Sequence, residues 1–323
     1  MKIKLLALVL LAALQSCTKS AETLVDNEID SKLRQTIKTK NDSLLQAMVH
    51  SDIGVLRQLG SDDFIKFMHA KVSNDMAIWA FRRGALDLNT TTVLHEYYSK
   101  HDAENQNTVL ESEKDKSTIS YINKEKETYV CMLKSKYNNI DDYLITTFYG
   151  LVDGQWKLND VKVGLYGVYD KSAQDYYAMA EEAKEKNHFV DAFIFYDIAN
   201  NLQEPIGDMM KYENAEEVDM KSELMLKKVK REYVFPKPLE KISTKPEVVS
   251  IAPSKNAKGL FPIITYKTNL SVEDNAALTK EYEQVKAEVK KIYTGLNFEQ
   301  DFIYYRAYNA ATEDIRIFED HKK

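Results

Sequence analysis

The sequence predicts a mixed α+β protein, and three observations carry the prediction. Apolar residues near a 3.6-residue period run from Ile37 to Leu86, and two-residue alternation takes over from Val93 to Val152. Helical periodicity then returns beyond Lys171 and gives way to a final β-β-α-β stretch. With 44% hydrophobic and 29% charged residues and few Gly and Pro, the chain has the composition of an ordinary folded protein. Its formal net charge is −6, and no basic stripe stands out, so composition offers a nucleic-acid partner no footing.

The chain starts MKIKLLALVLLAALQSC. Lys2 and Lys4 precede a continuous run of Leu, Ala and Val from Leu5 to Leu14, the length of a signal-peptide core and short for a membrane span. Leu14-Gln15-Ser16-Cys17 resembles a bacterial lipobox: an aliphatic residue lies three before the cysteine and a small residue just before it. The resemblance implies lipid transfer to the Cys17 sulfur, cleavage after Ser16, and acylation of the new amino group. Several acyl chains would then hold the protein to the lipid bilayer. It divides the start of the chain into a leader, 1–16, and a polar tether, 17–27. Thr18 is not the aspartate that retains such proteins at the inner membrane of enteric bacteria, so the expected location is the outer membrane, facing the periplasm. No later segment approaches eighteen uninterrupted apolar residues.

Residues 28–170 are expected to form the first domain. Ile37, Leu44, Leu45, Met48, Val49 and Leu56 set a helical stripe, with Asn41-Asp42-Ser43 able to start a helix and Gly54 interrupting it. Ser61-Asp62-Asp63 reads as a cap for Phe64, Ile65, Phe67 and Met68, and a further helical stretch around Met76 to Leu86 carries Trp79 and Phe81. Strands follow at Val93–Tyr98, Asn107–Leu110, Thr118–Ile122, Thr128–Ser135 and Tyr143–Val152. Asp153-Gly154, between alternating apolar runs, is a hairpin signal because both residues accept positive φ. Cys131 alternates with apolar neighbours and reads as a buried, inert thiol; once Cys17 is lipidated it has no disulfide partner.

Helices followed by a meander of long strands ending in DGQWKL is similar to the NTF2-like (cystatin-like) fold, in which a curved sheet wraps a long helix into a cone. In that family an acid–base pair in an apolar pocket carries the chemistry of the enzymatic members. The nearest concentration here is His95, Glu96 and His101, with Tyr97, Tyr98, Asp102 and Glu104 beside them. His95-Glu96 begins like a zinc-peptidase HExxH, but Ser99 stands where the second histidine belongs. On a strand, His95 and Glu96 point to opposite faces. The cluster therefore reads as solvated loop and strand-edge residues.

Residues 171–232 return to helix. Tyr176, Met179, Ala180 and Ala183 share one face; past a bend at Glu185–His188, Ala192, Phe195, Tyr196 and Ala199 share another. The pair resembles a single tetratricopeptide repeat, in which small Ala180 and Ala192 allow close approach while Tyr196 and Ala199 pack between the helices. Such units stack to bury their faces, and no second copy is present; Met209 to Tyr233 could cap the pair as a third helix.

Residues 233–323 form a small α+β domain. Pro236, Pro238 and Pro246 mark an extended connection, followed by strands at Glu247–Ala252 and Leu260–Thr268 with a turn at Pro253–Gly259. Ser271–Asp274 resembles a capping box before a helix striped by Leu278, Tyr282, Val285, Val289 and Ile292, and Gly295 ends it before a strand at Asn297–Asn309.

No catalytic constellation, metal set or cofactor motif assembles: GxxxxGK[ST], HExxH and GxSxG are all missing. The leading expectation is a membrane-anchored, non-enzymatic binding or adaptor lipoprotein for an envelope protein partner or small ligand. The alternatives are an NTF2-like acid–base enzyme acting in the cone, and glycan binding through Tyr304, Tyr305 and Tyr308.

Overall fold

The computed structural model describes residues 22–71, 86–298 and 301–321. The leader 1–16, Cys17 and the helix expected around Trp79 and Phe81 lie outside the described residues. The protein is mixed α+β, with seven α-helices among the described residues and a curled antiparallel sheet. It divides into two compact units, Met1–Tyr166 with Glu204–Lys211, and Gly167–Gln203 with Tyr212–Lys323.

In the first unit, β1 (Glu22–Val25), expected as the end of a tether, pairs antiparallel with β2 (Leu86–Lys100), Leu24 facing Tyr98. Helix α1 (Ser31–His50) is capped by the Asp30 side chain, which accepts from the Lys32 and Leu33 amides. It runs straight through the expected start at Asn41-Asp42-Ser43. Asn41 is buried there because its Oδ1 accepts from Thr147 Oγ1 (3.1 Å) and Tyr149 Oη (2.9 Å). The break comes at Ser51, with φ 57°, and Asp52 caps α2 (Ile53–Leu59), so Gly54 lies inside a helix rather than between two. Ser61 caps α3 (Asp62–Lys71) as expected, accepting from the Phe64 amide.

The strands β3 (Asn107–Ser112), β4 (Ser117–Ile122), β5 (Glu127–Tyr137), β6 (Asp141–Val152) and β7 (Gln155–Val168) follow. In the main sheet the order is β1-β2-β5-β6-β7, with register shifts in β2 at Asp87/Thr92 and Val93/His95. Such shifts bend and twist a strand, which favours curl. Asp153 (φ 47°) and Gly154 (φ 74°) make the hairpin read from their identities. Inside the curl, Ile37, Leu44, Leu45 and Met48 of α1 share one core with Tyr129, Cys131, Leu133, Ile145, Tyr149, Trp156 and Leu158. Cys131 is buried and free, and burial pushes its thiol pKa well up. The strands β9 (Pro205–Asp208) and β10 (Met210–Tyr212) return here, β10 lying beside β4 in the order β10-β4-β3. A Cβ at Gly164 would come within 1.7 Å of the Pro205 carbonyl oxygen, so this approach requires glycine.

In the second unit, β8 (Lys171–Ser172) folds back on the end of β7 across Tyr169-Asp170, both at positive φ. Ser172 and Asp175 form a capping box for α4 (Ala173–Glu185). With α5 (Phe189–Asn201) and α6 (Ala215–Glu232), it buries a cluster of Ala180, Ala183, Ala192, Tyr196 and Met225, and Ala199 is buried as well. Helix α6 starts later than the composition suggested, because Met210–Tyr212 is strand.

The chain then builds a five-stranded sheet ordered β11 (Lys237–Pro238), β12 (Glu247–Asn256), β13 (Gly259–Thr268), β14 (Phe302–Asn309) and β15 (Ile315–His321). Strand β12 continues past the expected turn to Asn256, Pro253 standing opposite Pro262. The pair β13–β14 is parallel and is linked through α7 (Asn275–Ile292). Asp274 is the cap of α7 itself, accepting from the Ala277 amide, rather than the glutamate position of a box begun by Ser271. Leu278, Tyr282, Val285 and Val289 are buried as their spacing predicts.

Glu281 lies on the same stripe, only 1% exposed, and neither carboxyl oxygen has a hydrogen-bond partner among the described residues. An unpartnered polar group in such a place costs about 1–3 kcal/mol. Glu281→Leu should therefore raise stability by roughly that amount, measured as an upward shift of the urea midpoint with unchanged slope. A lower midpoint would show that the carboxyl has a stabilising partner.

Candidate functional site

Strand β2 places His95 and Glu96 on opposite faces, as alternation requires, yet both are buried, 5% and 4% exposed, rather than solvated. Two carboxylates account for the histidine. Its Nε2 lies 2.7 Å from Asp115 Oδ2, in the turn between β3 and β4, and its Nδ1 lies 3.3 Å from Asp26 Oδ2. The other Asp26 oxygen accepts from the Glu96 amide at 2.8 Å. On the opposite face, Glu96 accepts from Arg34 Nε of α1 and from Tyr129 Oη of β5, both at 2.7 Å.

His101 is buried too, its Nε2 2.9 Å from Thr128 Oγ1, which also meets Tyr121 Oη at 2.8 Å. Burial lowers the His101 pKa, favouring the neutral imidazole. Of the three residues singled out from sequence, His95 and Glu96 are thus joined through Asp26, while His101 serves a separate polar contact.

Ser112 Oγ stands 3.3 Å from His95 Nε2, giving a serine, a histidine and an aspartate in a row. The electrostatics argue against nucleophile activation. The Asp115 hydrogen bond, against an opposing effect of burial and with help from Asp26, raises the His95 pKa. The same contact holds the Asp115 carboxyl below its ordinary value. Carboxylates at both nitrogens favour the imidazolium form, which has no free lone pair to take a proton from serine. No group of three or more His, Cys, Asp or Glu among the described residues is arranged to hold a metal ion.

The first unit also contains a cavity of about 290 Å³ lined by Tyr121, Ile122, Phe148, Asn159, Asp160 and Met209 among others. Asn159 Nδ2 donates to Glu125 Oε2 at 2.5 Å, and burial raises the Glu125 carboxyl pKa. Nothing in the local sequence marks Glu125: its environment depends on β7, some thirty residues away.

In the second unit an open groove of about 620 Å³ runs beside the α4–α5 pair. Tyr169, Phe195 and Phe261 give it aromatic walls, and Lys171, His188 and Lys258 give it polar ones. Tyr169 is held in the left-handed region at φ 52°, unusual for a bulky side chain, while its hydroxyl reaches the Asn256 and Gly259 carbonyl oxygens at 2.5 and 2.8 Å. The positions resembling a tetratricopeptide repeat, Ala180, Ala192, Tyr196 and Ala199, are all buried, and the Tyr196 hydroxyl donates to Glu181. Tyr304 and Tyr305 are buried on opposite faces of β14, where packing accounts for them, and Tyr308 is half-buried.

The raised His95 pKa has a measurable consequence. The folded protein holds this proton more tightly than the unfolded chain does, so the associated stabilisation is complete below the unfolded value of about 6.5. It is lost as pH rises through the higher folded value. Asp115 contributes in the opposite sense, its stabilisation being present above about 3.9 and lost as pH falls through its depressed value. Unfolding free energy measured upward from pH 6.5 should decline in the native protein with a step that His95→Gln lacks. Parallel profiles for the two proteins would refute the linkage.

Comparison of the chain with family models, with curated proteins and with solved structures finds no match.

Proposed function

We propose that this protein is a lipid-anchored envelope protein, non-enzymatic, that binds a partner protein or small ligand through its second unit. The anchor rests on the basic residues Lys2 and Lys4, the apolar run Leu5 to Leu14, and the lipobox-like Leu14-Gln15-Ser16-Cys17. In this reading the bilayer is engaged through acylated Cys17, at the outer membrane and facing the periplasm. Among the described residues no helix is long and apolar enough to cross a membrane.

Two finer assignments belong to the proposal. A long helix against a curled antiparallel sheet that ends in the Asp153-Gly154 hairpin supports an NTF2-like cone. The close α4–α5 pair, with α6 completing its core through Met225, supports a tetratricopeptide-like hairpin.

The observation that carries the binding reading is the groove beside α4 and α5, whose volume falls in the range of ligand sites and whose walls mix aromatic with charged groups. The interior of the curled sheet, by contrast, is filled with Leu, Ile, Met, Tyr and Trp side chains.

Cys17→Ser should move the protein from the membrane to the soluble fraction on fractionation of the producing cells; unchanged membrane association would sink the anchor. In cross-linking capture from intact envelopes, Phe261→Asp should lose the ligand or protein that the native groove retains, with circular dichroism confirming its fold. An identical set of captured species would exclude the groove.

A second reading, an acid–base enzyme acting on a small molecule, is favoured by Glu125, whose carboxyl pKa is raised by burial and which is hydrogen-bonded to Asn159, a residue lining the smaller cavity. The carboxyl 13C titration of Glu125 separates the two. A midpoint above the ordinary value of about 4.3 keeps an acid available for proton transfer, and a midpoint at or below it removes this reading.

A further inference from the structure

Strand β15 is the last strand of the five-stranded sheet, and no described residue pairs with its outer edge. Alternate amide and carbonyl groups along its seven residues therefore face outward, a template for another strand. Edges of this kind are ordinarily covered or short. This one instead presents Ile315 and Ile317, 55% and 50% exposed.

Register with β14 sorts its side chains. Phe318 opposes Tyr305 and stacks on Tyr282 of α7, and Asp320 contacts Lys286 of α7 at 2.5 Å, so Arg316, Phe318 and Asp320 share the helix-covered face. Ile315, Ile317, Glu319 and His321 share the other, where His321 meets Phe302 edge-on.

The charge sequence along this edge is self-complementary. When two copies of β15 run antiparallel with Phe318 at the centre, Arg316 of each copy stands directly across from Asp320 of the other, on the same face. Ile317 then lies across from Glu319, with the two Ile317 side chains diagonal neighbours. Centring on Arg316 or on Glu319 would instead put like charges opposite each other, which is destabilising. Arg316 is exposed and makes no ion pair within 4.0 Å among the described residues, so it is available to a partner.

We infer that β15 is the pairing edge of a symmetric dimer in which two copies of this chain join their five-stranded sheets antiparallel about Phe318. The interface is isologous: each copy supplies the same strand, the same backbone edge and one half of each charge pair. This inference is independent of what the groove binds.

Sedimentation velocity on the full chain in mild detergent tests it. The native protein should show a concentration-dependent monomer–dimer equilibrium. Arg316→Asp and Asp320→Arg should each raise the dimer Kd roughly tenfold, because each places two like-charge pairs across the seam. Mixing the two variants should recover native affinity as a heterodimer. One copy then carries two acidic residues and the other two basic ones, so both cross-strand pairs are again of opposite charge. Ile317→Asp, at an exposed site away from the helix packing, should weaken the dimer independently. Circular dichroism verifies that each variant is folded. A native protein that stays monomeric at high micromolar concentration overturns the inference. So does a dimer whose Kd is untouched by Arg316→Asp and Ile317→Asp, and so does a variant mixture that fails to recover.

Discussion

The carboxylate of Asp26 is shared between two consecutive residues of β2, and the first unit is organised around that sharing. One oxygen takes the Glu96 amide and the other faces the His95 ring. His95 then reaches the β3–β4 turn through Asp115, while Glu96 reaches α1 through Arg34 and β5 through Tyr129. Hydrogen bonds and ion pairs running from Asp26 thereby join the entry segment, the first helix, two strands of the main sheet and the outer hairpin. Buried ionic groups add little net stability compared with apolar replacements of the same shape, but an unmatched one is severely penalised. Their effect here falls on register. Sliding β2 by one residue would turn His95 toward Arg34 and Glu96 toward Asp115, setting like charge against like where the native contacts pair opposite charges. The curl of the sheet and the seating of α1 both depend on that slip being forbidden.

The second unit is organised by size and shape instead. Ala180 and Ala192 let α4 and α5 approach closely, and Tyr196 fills the remaining space with its hydroxyl turned to Glu181. Lys221 of α6 closes the same corner, contacting Glu181 at 2.8 Å and Glu217 at 2.6 Å. Its neighbours hold the ammonium pKa above the ordinary lysine range despite the opposing desolvation. The groove beside this bundle is bounded by Tyr169, a residue kept in an unfavourable backbone region by hydroxyl contacts to the β12–β13 turn. Strain of this kind persists where the surroundings over-determine it, which suits a wall whose shape has to be maintained.

Local chemistry was legible in the sequence where one or two residues decide the outcome. Asp153-Gly154 announces its hairpin because both residues tolerate positive φ, Ser61 announces a cap, and Leu278, Tyr282, Val285 and Val289 announce a buried stripe. Cys131 was readable as a buried thiol from its apolar neighbours. What escaped depends on partners remote in the chain. Asn41 looks like a helix start until Thr147 and Tyr149, more than a hundred residues on, are placed against it. His95 looks solvated until Asp26 and Asp115 arrive from two other segments. Asp26 itself sits in what reads as a polar tether, and nothing local distinguishes it from its neighbours. Glu281 escapes as well, because a stripe read by hydrophobicity has no way to register a carboxyl in its midst. Strand β15, with charges at Arg316, Glu319 and Asp320, breaks clean alternation as edge strands commonly do.

Cys131 lies in the middle of the core shared by α1 and the main sheet, alongside Tyr129 and Leu133, and its sulfur is sealed from solvent. A thiol in that position behaves as a clock set into the fold. Reagents can reach it only when the helix and the curled sheet separate, so its labelling rate reports the frequency of that opening rather than any surface breathing. The first unit thus carries, in one native side chain, its own gauge of how often it comes apart.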